Sequence, residues 1–553
     1  MARYDHFQFS ISDPDETDLV LVSVTDTRTG FTVRTALPNN GKQTASIMAF
    51  AGARYSRSAL SAQDLFKEIK QSGKDANEKL ATIFRNYGHA SVADMAMLFA
   101  YVENIPELYA STFFYETSIG GGQQRSTRYQ DFSKSEPVPL SYYIADNGQK
   151  DYQAVSNNFY KLQDDALNYY RKYIDILEKK YTDVYEIDAT DKRQTGALTA
   201  RVFDSARAFL PHGTCLKTSL AWVTSAREWA RIISRFKSFQ DPHMNYLAEQ
   251  LEVLFAPDEE VAEELGYTPE APDLIRYTTG DETTSTNLKE LKAFLEEKTD
   301  FVKTAKFHTT LKFHPVDVLL IDDSTGAGTK VAMQNIMSIY PTVDIEWLAL
   351  WLHSLDNEVQ AEMSRIIYHG FNHHKQMGAQ FRVNTHSFML TCSIAETRDL
   401  DRHRAWGRFI PMLSAEYNFT SLYNEGYTLP AYLYENPKLA EVRVQFEEDL
   451  KAYYKELKSF INDAEKSGWF PQYLILQLLP FAHLMRMWMH GSPKEISYMT
   501  KLRVRPGGHI NYRMLAYRIA EVAANSVPFL AGIAIPETDK PDPSSRAEFI
   551  DRS

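Results

Sequence analysis

Between Asn158 and Tyr181 the apolar residues Phe159, Leu162, Ala166, Tyr169, Tyr173 and Leu177 recur at three- and four-residue steps. That spacing gives one greasy face and predicts a long amphipathic helix. Glu441 to Ala464 has the same character and predicts its partner. Asn77 to Tyr87 has helical character, and Met97 to Val102 is a short apolar run suited to a buried strand. Pro106 opens an aromatic-rich helix that should stop at Gly120, Gly121 and Gly122, because three glycines lose too much backbone entropy to continue it. The coarse order is helix, strand, helix, loop, long helix, helix.

This order occurs twice. Shifted by 280 without a gap, residues 77–129 and 357–409 share ten identities in 53 positions, among them Met97/Met377, Glu116/Glu396 and Arg128/Arg408; unrelated chains would share about three. A second block, shifted by 266, pairs Trp222 with Trp488 and His243, Asn245, Tyr246 with His509, Asn511, Tyr512. The chain reads as a tandem duplication: an N-terminal extension at 1–44, repeat one at 45–255, an acidic linker and connecting segment at 256–330, repeat two at 331–530 and a mobile tail at 531–553.

The composition, 44% hydrophobic and 24% charged over 553 residues, belongs to a globular protein with room for more than one core. A net charge of -12 argues against a broad grip on nucleic acid, so an anionic ligand must meet a local cluster of arginines. No apolar signal core opens the chain, and His483 and Arg486 interrupt its greasiest run, so a cytoplasmic protein without a membrane span is expected. Cys215 and Cys392 are too few for a disulfide framework or an all-cysteine metal site. His369, His373 and His374 have helical ligand spacing, but no carboxylate motif completes a site, and no metal is expected.

The segment from Gly120 to Tyr129 combines glycines, Gln123, Gln124, Arg125, Ser126 and Arg128. Backbone N–H groups of such a turn can converge on phosphate oxygens while guanidinium groups supply charge-assisted bonds. A solvated turn with surface arginines has the same composition, and both readings stand at this point.

The 14 residues from Glu116 to Tyr129 resemble, in length and in the ending Ser126-x-Arg128-Tyr129, the signature R-H-R-x-x-S-x-N-x-x-S-x-R-Y of the flavin-dependent thymidylate synthases. Gly88-His89-x-Ser91-x-x-Asp94 resembles that family's G-H-x-[ST]-x-x-E, Ala206-Arg207-x-x-Leu210-Pro211 its A-R-x-x-L-P, and Trp222 to Arg227 its W-T-V-N-A-R. His243-x-Asn245-Tyr246 and His509-x-Asn511-Tyr512 look like H-A-Q-W. The resemblance covers about four-fifths of the chain. It implies an α+β fold of two tandem repeats, each with helices packed on a small sheet. It also implies reductive methylation of dUMP to dTMP, with FAD as cofactor and with methylenetetrahydrofolate and NADPH as co-substrates. No side-chain nucleophile is implied; the cofactor carries the hard step. His89, Ser91, Asp94, Ser225, Arg227, His243 and His509 are the implied FAD-binding residues. Gln124, Ser126, Arg128, Arg207, Lys237, Arg408 and Arg503 are the implied nucleotide-binding residues.

Two departures matter. Repeat one has Glu116-Thr117-Ser118 in place of R-H-R, while repeat two contains Arg402-His403-Arg404, which the ungapped repeat sets opposite Gly122 to Gln124, six residues late. That register favours a chance match over a local shift. Repeat two also has Leu476 opposite Arg207, so the halves have lost different groups. A homodimer acting as a pseudo-tetramer follows, since one chain supplies two family units. The same scaffold acting on another pyrimidine nucleotide, or a nucleotide-binding pseudoenzyme without flavin, are the alternatives.

Overall fold

The computed structural model describes the chain except residues 1–3, 14–18, 39–43, 56–57, 73–89, 118, 129, 214–216, most of 282–309, 323–325, 340–342, 370–380, 382, 384, 411–424 and 553. The expected helix at 77–87 and His89, Tyr129, Cys215, His373 and His374 therefore lie outside the described residues. Two compact units result, and they cross the repeat boundaries: one holds residues 1–125, 138–152 and 213–306, the other 126–137, 153–212 and 307–553.

The first unit is built on an antiparallel sheet ordered β1 (Phe7–Ile11), β2 (Leu19–Asp26), β3 (Thr32–Pro38), β4 (Met97–Pro106), β6 (Lys217–Ser225) and β5 (Gly121–Gln124). Alternate residues Val20, Val22 and Val24 on β2, Leu98, Ala100 and Val102 on β4, and Leu220 and Trp222 on β6 are buried, as a two-residue period requires. The helices Glu107–Glu116 and Ala226–Lys237 bring aromatic rings to that face, where Phe113 meets Trp222, Trp229 and Phe236 at centroid distances of 5.3, 5.8 and 5.6 Å. Residues 1–44 are thus more than an extension, because β1 to β3 continue the sheet.

The glycine stretch departs from expectation. Gly121 and Gly122 lie in β5, paired with Val223 and Trp222, rather than in a phosphate-cradling turn. A Cβ on Gly122 would overlap the Trp222 ring, so the glycine answers a close approach within the sheet.

The second unit holds a sheet ordered β7 (Asp317–Asp322), β8 (His386–Ser393), β10 (Leu484–Gly491) and β9 (Gly407–Phe409), the same order as β3, β4, β6 and β5. Its β7 lies inside the stretch expected to be a connecting segment. The second unit also holds the two long helices expected from the sequence, Tyr152–Val184 and Ala440–Ser467. Tyr173 meets Phe446 at 4.5 Å, and Phe209 stacks on Tyr173 at 5.0 Å. The segments after them pair antiparallel: His212 N–H donates to the Leu479 carbonyl and Phe481 N–H to the Leu210 carbonyl, both at 2.8 Å. This reciprocal pair is the local twofold of the duplication, and it confirms Leu476 as the counterpart of Arg207.

The tail expected to be mobile is ordered to Arg552. Phe549, on the helix Arg546–Ile550, is buried and stacks on Tyr185 at 3.8 Å, and Arg201 Nη2 donates to the Asp551 carbonyl at 3.1 Å. Pro, Asp and Ser mark a segment without a long helix, not one without partners. Among the described residues, no helix is long and apolar enough to cross a membrane.

Candidate functional site

Ser225 and Ser492 cap the counterpart helices Ala226–Lys237 and Pro493–Arg503, and each has a glutamate, Glu228 or Glu495, three residues on. Counting back from these caps makes Val223 the counterpart of His490, and these residues face Gly121 and Gly407 across their sheets. The same count puts Ala221, not Trp222, at the position of Trp488; Trp222 is fully buried, whereas Ala221 and Trp488 are half-buried. With Gly121 matched to Gly407, Arg402, His403 and Arg404 fall opposite Glu116, Thr117 and Ser118. In this register R-H-R of repeat two stands where the family signature begins, and Arg408 corresponds to Gly122 rather than to Arg128.

Within the second unit this motif joins residues from the signature's other end. Arg128, held by the turn after Ser126, whose Oγ accepts its N–H at 3.2 Å, donates to Asp204 from Nε at 2.7 Å and from Nη2 at 2.9 Å. Arg207 follows the helix Lys192–Ala206 and is 1% exposed; its Nη1 donates to Thr127 Oγ1 at 3.0 Å, a hydroxyl that also accepts from Arg398 Nη1 at 2.6 Å. Arg207 Nη2 lies 3.7 Å from Asp399 Oδ2, and neither its Nε nor its Nη2 has a hydrogen-bond partner. Arg503, at the end of its helix, donates from Nε to His403 Nε2 at 2.7 Å and from Nη2 to the Asp399 carbonyl at 2.9 Å.

The electrostatics show a surplus of positive charge. Burial raises the Asp399 pKa, but Arg207, Arg128, Arg503 and Arg402 outweigh it and hold the carboxyl below its usual range. Four guanidiniums bear on one carboxylate. Burial, then Arg503 and Arg408, push His403 well below the ordinary histidine value, so its ring is neutral and can accept from Arg503. Burial and Arg408 also lower Arg404, a cation that an arriving anion would relieve. Asp204 is held low by Arg128 against its burial, and His509 is pushed down to about 3 by burial.

Other residues implied by the resemblance are held elsewhere. Arg408 is closed on Asp401 at 2.8 Å. His509 caps the helix Ile510–Ser526 through its Nδ1, with Glu396 at 3.5 Å. In the first unit, Gln124 Nε2 donates to Glu107 at 2.7 Å, and Lys237 to Glu252 at 2.8 Å. Ser225 serves as a helix cap, and His243 is enclosed by Phe31, Tyr142 and Tyr143 with its Nε2 3.1 Å from the Tyr142 carbonyl. Ser91 is exposed, and Arg227 and Asp94, 58% and 46% exposed, pair at 3.1 Å. The sequence reading did not select Asp204, Asp399, Arg398 or Thr127. Two of these had a signal: Asp204 precedes Arg207 by one helical turn, and Thr127 lies inside the signature's ending.

A family model described as thymidylate synthase complementing protein matches residues 37–255 and 320–529. A UPF0159 protein of Chlamydia pneumoniae is 22% identical over 485 residues, covering 84% of each chain. Another, of Thermoplasma acidophilum, is 22% identical over 506 residues, covering 84% of this chain and 90% of its own. Among solved structures, the UMP/dUMP methylase PolB from Streptomyces cacaoi, bound with 5-Br dUMP, has 14% identity and a TM-score of 0.29 over 40% of this chain and 96% of that one. Thymidylate synthase X from Helicobacter pylori, with FAD and dUMP, has 12% identity and a TM-score of 0.24 over 43% and 95%.

Proposed function

The chain belongs to the thymidylate synthase complementing protein family, and from that premise we propose that it is a nucleotide-modifying enzyme whose second unit holds the phosphate of a pyrimidine nucleotide. The supporting observation is Arg207, a buried guanidinium whose Nε and Nη2 make no hydrogen bond, Nη2 standing 3.7 Å from Asp399 and 3.9 Å from Asp204, in a cluster where four arginines bear on Asp399. Nε and Nη2 form the edge with which arginine forks two oxygens of a phosphate or carboxylate. Arg128 and Thr127 fix the cluster's geometry: Arg128 is bound to Asp204, and the Thr127 hydroxyl ties Arg207 to Arg398.

The substrate we infer is dUMP and the reaction its conversion to dTMP, with methylenetetrahydrofolate as one-carbon donor and NADPH as reductant. FAD, when bound, supplies the hydride. The half-buried Arg402 and Arg404 fit an anionic group of such a cofactor. His243 and His509 do not fit, because one ring is enclosed by aromatics and the other caps a helix. We further infer a homodimer, in which two chains supply four family units.

Calorimetric titration of the purified full chain with dUMP, and its flavin absorbance after incubation with FAD, test the reading. Binding of both supports it. Binding of dUMP by a protein that takes up no flavin would leave a nucleotide-binding pseudoenzyme; binding of neither ends the proposal.

A further inference from the structure

The register that restores R-H-R to repeat two assigns Glu116 and Thr117 to the matching place in repeat one, and what surrounds them is the reverse in charge. Glu116 Oε2 accepts from Arg235 Nε at 3.1 Å, and the Glu116 carbonyl accepts from Arg231 Nη2. Arg231 is also closed on Glu228, from Nε at 2.8 Å and from Nη2 at 2.9 Å. Thr117 Oγ1 donates to the Phe113 carbonyl at 2.6 Å and offers that proton to nothing else. Counted from the caps Ser225 and Ser492, the residues of repeat two that match Arg231 and Arg235 are Tyr498 and Leu502. Where repeat two has a guanidinium on the motif and the neutral Tyr498 and Leu502 at these two helix positions, repeat one has a carboxylate on the motif and guanidiniums at both.

A separate substitution lies in the second unit. Leu476, the counterpart of Arg207, is buried and cannot read an anion. Arg231 and Arg235 are thus matched by Glu228 and Glu116, whereas around Arg207 four guanidiniums bear on Asp399.

Building on the phosphate reading above, we propose that Glu116 is a built-in anion that occupies Arg235 and Arg231 in place of a ligand phosphate, so that the duplicated anion site of repeat one is closed and each chain binds a single nucleotide phosphate. The duplication has then kept one composite site, made by Arg128 and Arg207 of the first repeat with Arg402 and Arg503 of the second.

Two measurements on the full chain test this. Titration of the wild type with dUMP should saturate at one nucleotide per chain, and Arg207→Met should weaken that site by roughly 10- to 150-fold. Equilibrium dialysis against labelled inorganic phosphate should show an added, weaker site in Glu116→Ala and in the near-isosteric Glu116→Gln, lost again when Arg235→Ala is combined with either. Two nucleotides per wild-type chain would overturn the proposal, as would Glu116 variants with native circular dichroism that bind no more phosphate than the wild type. A wild type that binds no nucleotide defeats the enzymatic reading, while the phosphate uptake of the Glu116 variants still decides the role of Glu116.

Discussion

Arg128 is committed to Asp204 through two hydrogen bonds, whereas Arg207, one helical turn beyond that aspartate, keeps one edge without a hydrogen bond. Substituting them should therefore report different things. Arg207→Met keeps most of the buried stem and should weaken dUMP binding by about 1.5–3 kcal/mol, the range for a hydrogen bond to a charged group, measured by calorimetry. Arg128→Ala strands a buried carboxylate and should instead destabilise the fold by about 3–5 kcal/mol, seen in denaturant unfolding before any ligand is added. Buried titrating groups give the pH dependence. His212 and His509 are held down to about 3 by burial, so the unfolded chain binds more protons below the ordinary histidine value of about 6.5. Their contribution to stability is full above that value and is lost as pH falls toward 3. Asp401 has the opposite sign: burial, opposed by Arg408, pushes it up to about 6, so its contribution falls as pH rises from about 4 to about 6. Unfolding followed between pH 4 and 7 should show a smaller loss at the acid end in His509→Asn, and Asp401→Asn should remove the opposing slope.

At the scale of elements, the two long helices were legible because each buries one stripe against many partners, and a 3.6-residue period survives any detail of loop geometry. The glycine strand was not, since glycines that admit a phosphate and glycines that admit a tryptophan ring have the same composition. Gly122→Ala should push Trp222 out of place and cost about 1–3 kcal/mol, as overpacking does, with loss of near-ultraviolet tryptophan ellipticity as the measurement. The ordered C-terminal helix was equally hidden, because its anchor is one ring among polar residues. Phe549→Ala should cost about 3–5 kcal/mol, and loss of less than 1 kcal/mol in thermal unfolding would show that the stack on Tyr185 is dispensable.

For the whole molecule, the pieces of repeat one divide between two compact units, with 126–137 and 153–212 built into the same unit as repeat two. A break placed between the repeats, near residue 310, should therefore not yield two independently folding halves: residues 1–310 alone should expose the apolar faces of 153–212 and aggregate. Light scattering of the intact protein should report about twice the chain mass, in keeping with twofold closure of a chain that carries two family units. A monodisperse monomer would contradict the dimer, and two flavins per chain would contradict a single composite site.

The residues that mark the family, the duplication and the stripes of the long helices were fixed by order along the chain, since periodicity and motif spacing are local properties. Register was not. In the ungapped alignment Arg408 answered Arg128 and R-H-R fell six residues late, and only the strand pairing of Gly121 with Val223 and of Gly407 with His490 moved Arg402 to Arg404 into place. Nor could the sequence say that Asp204, Asp399 and Thr127 would organise the arginines. Which guanidinium keeps an unmet edge depends on carboxylates and hydroxyls brought together from positions far apart in the chain, and those distances exist only once the chain has packed.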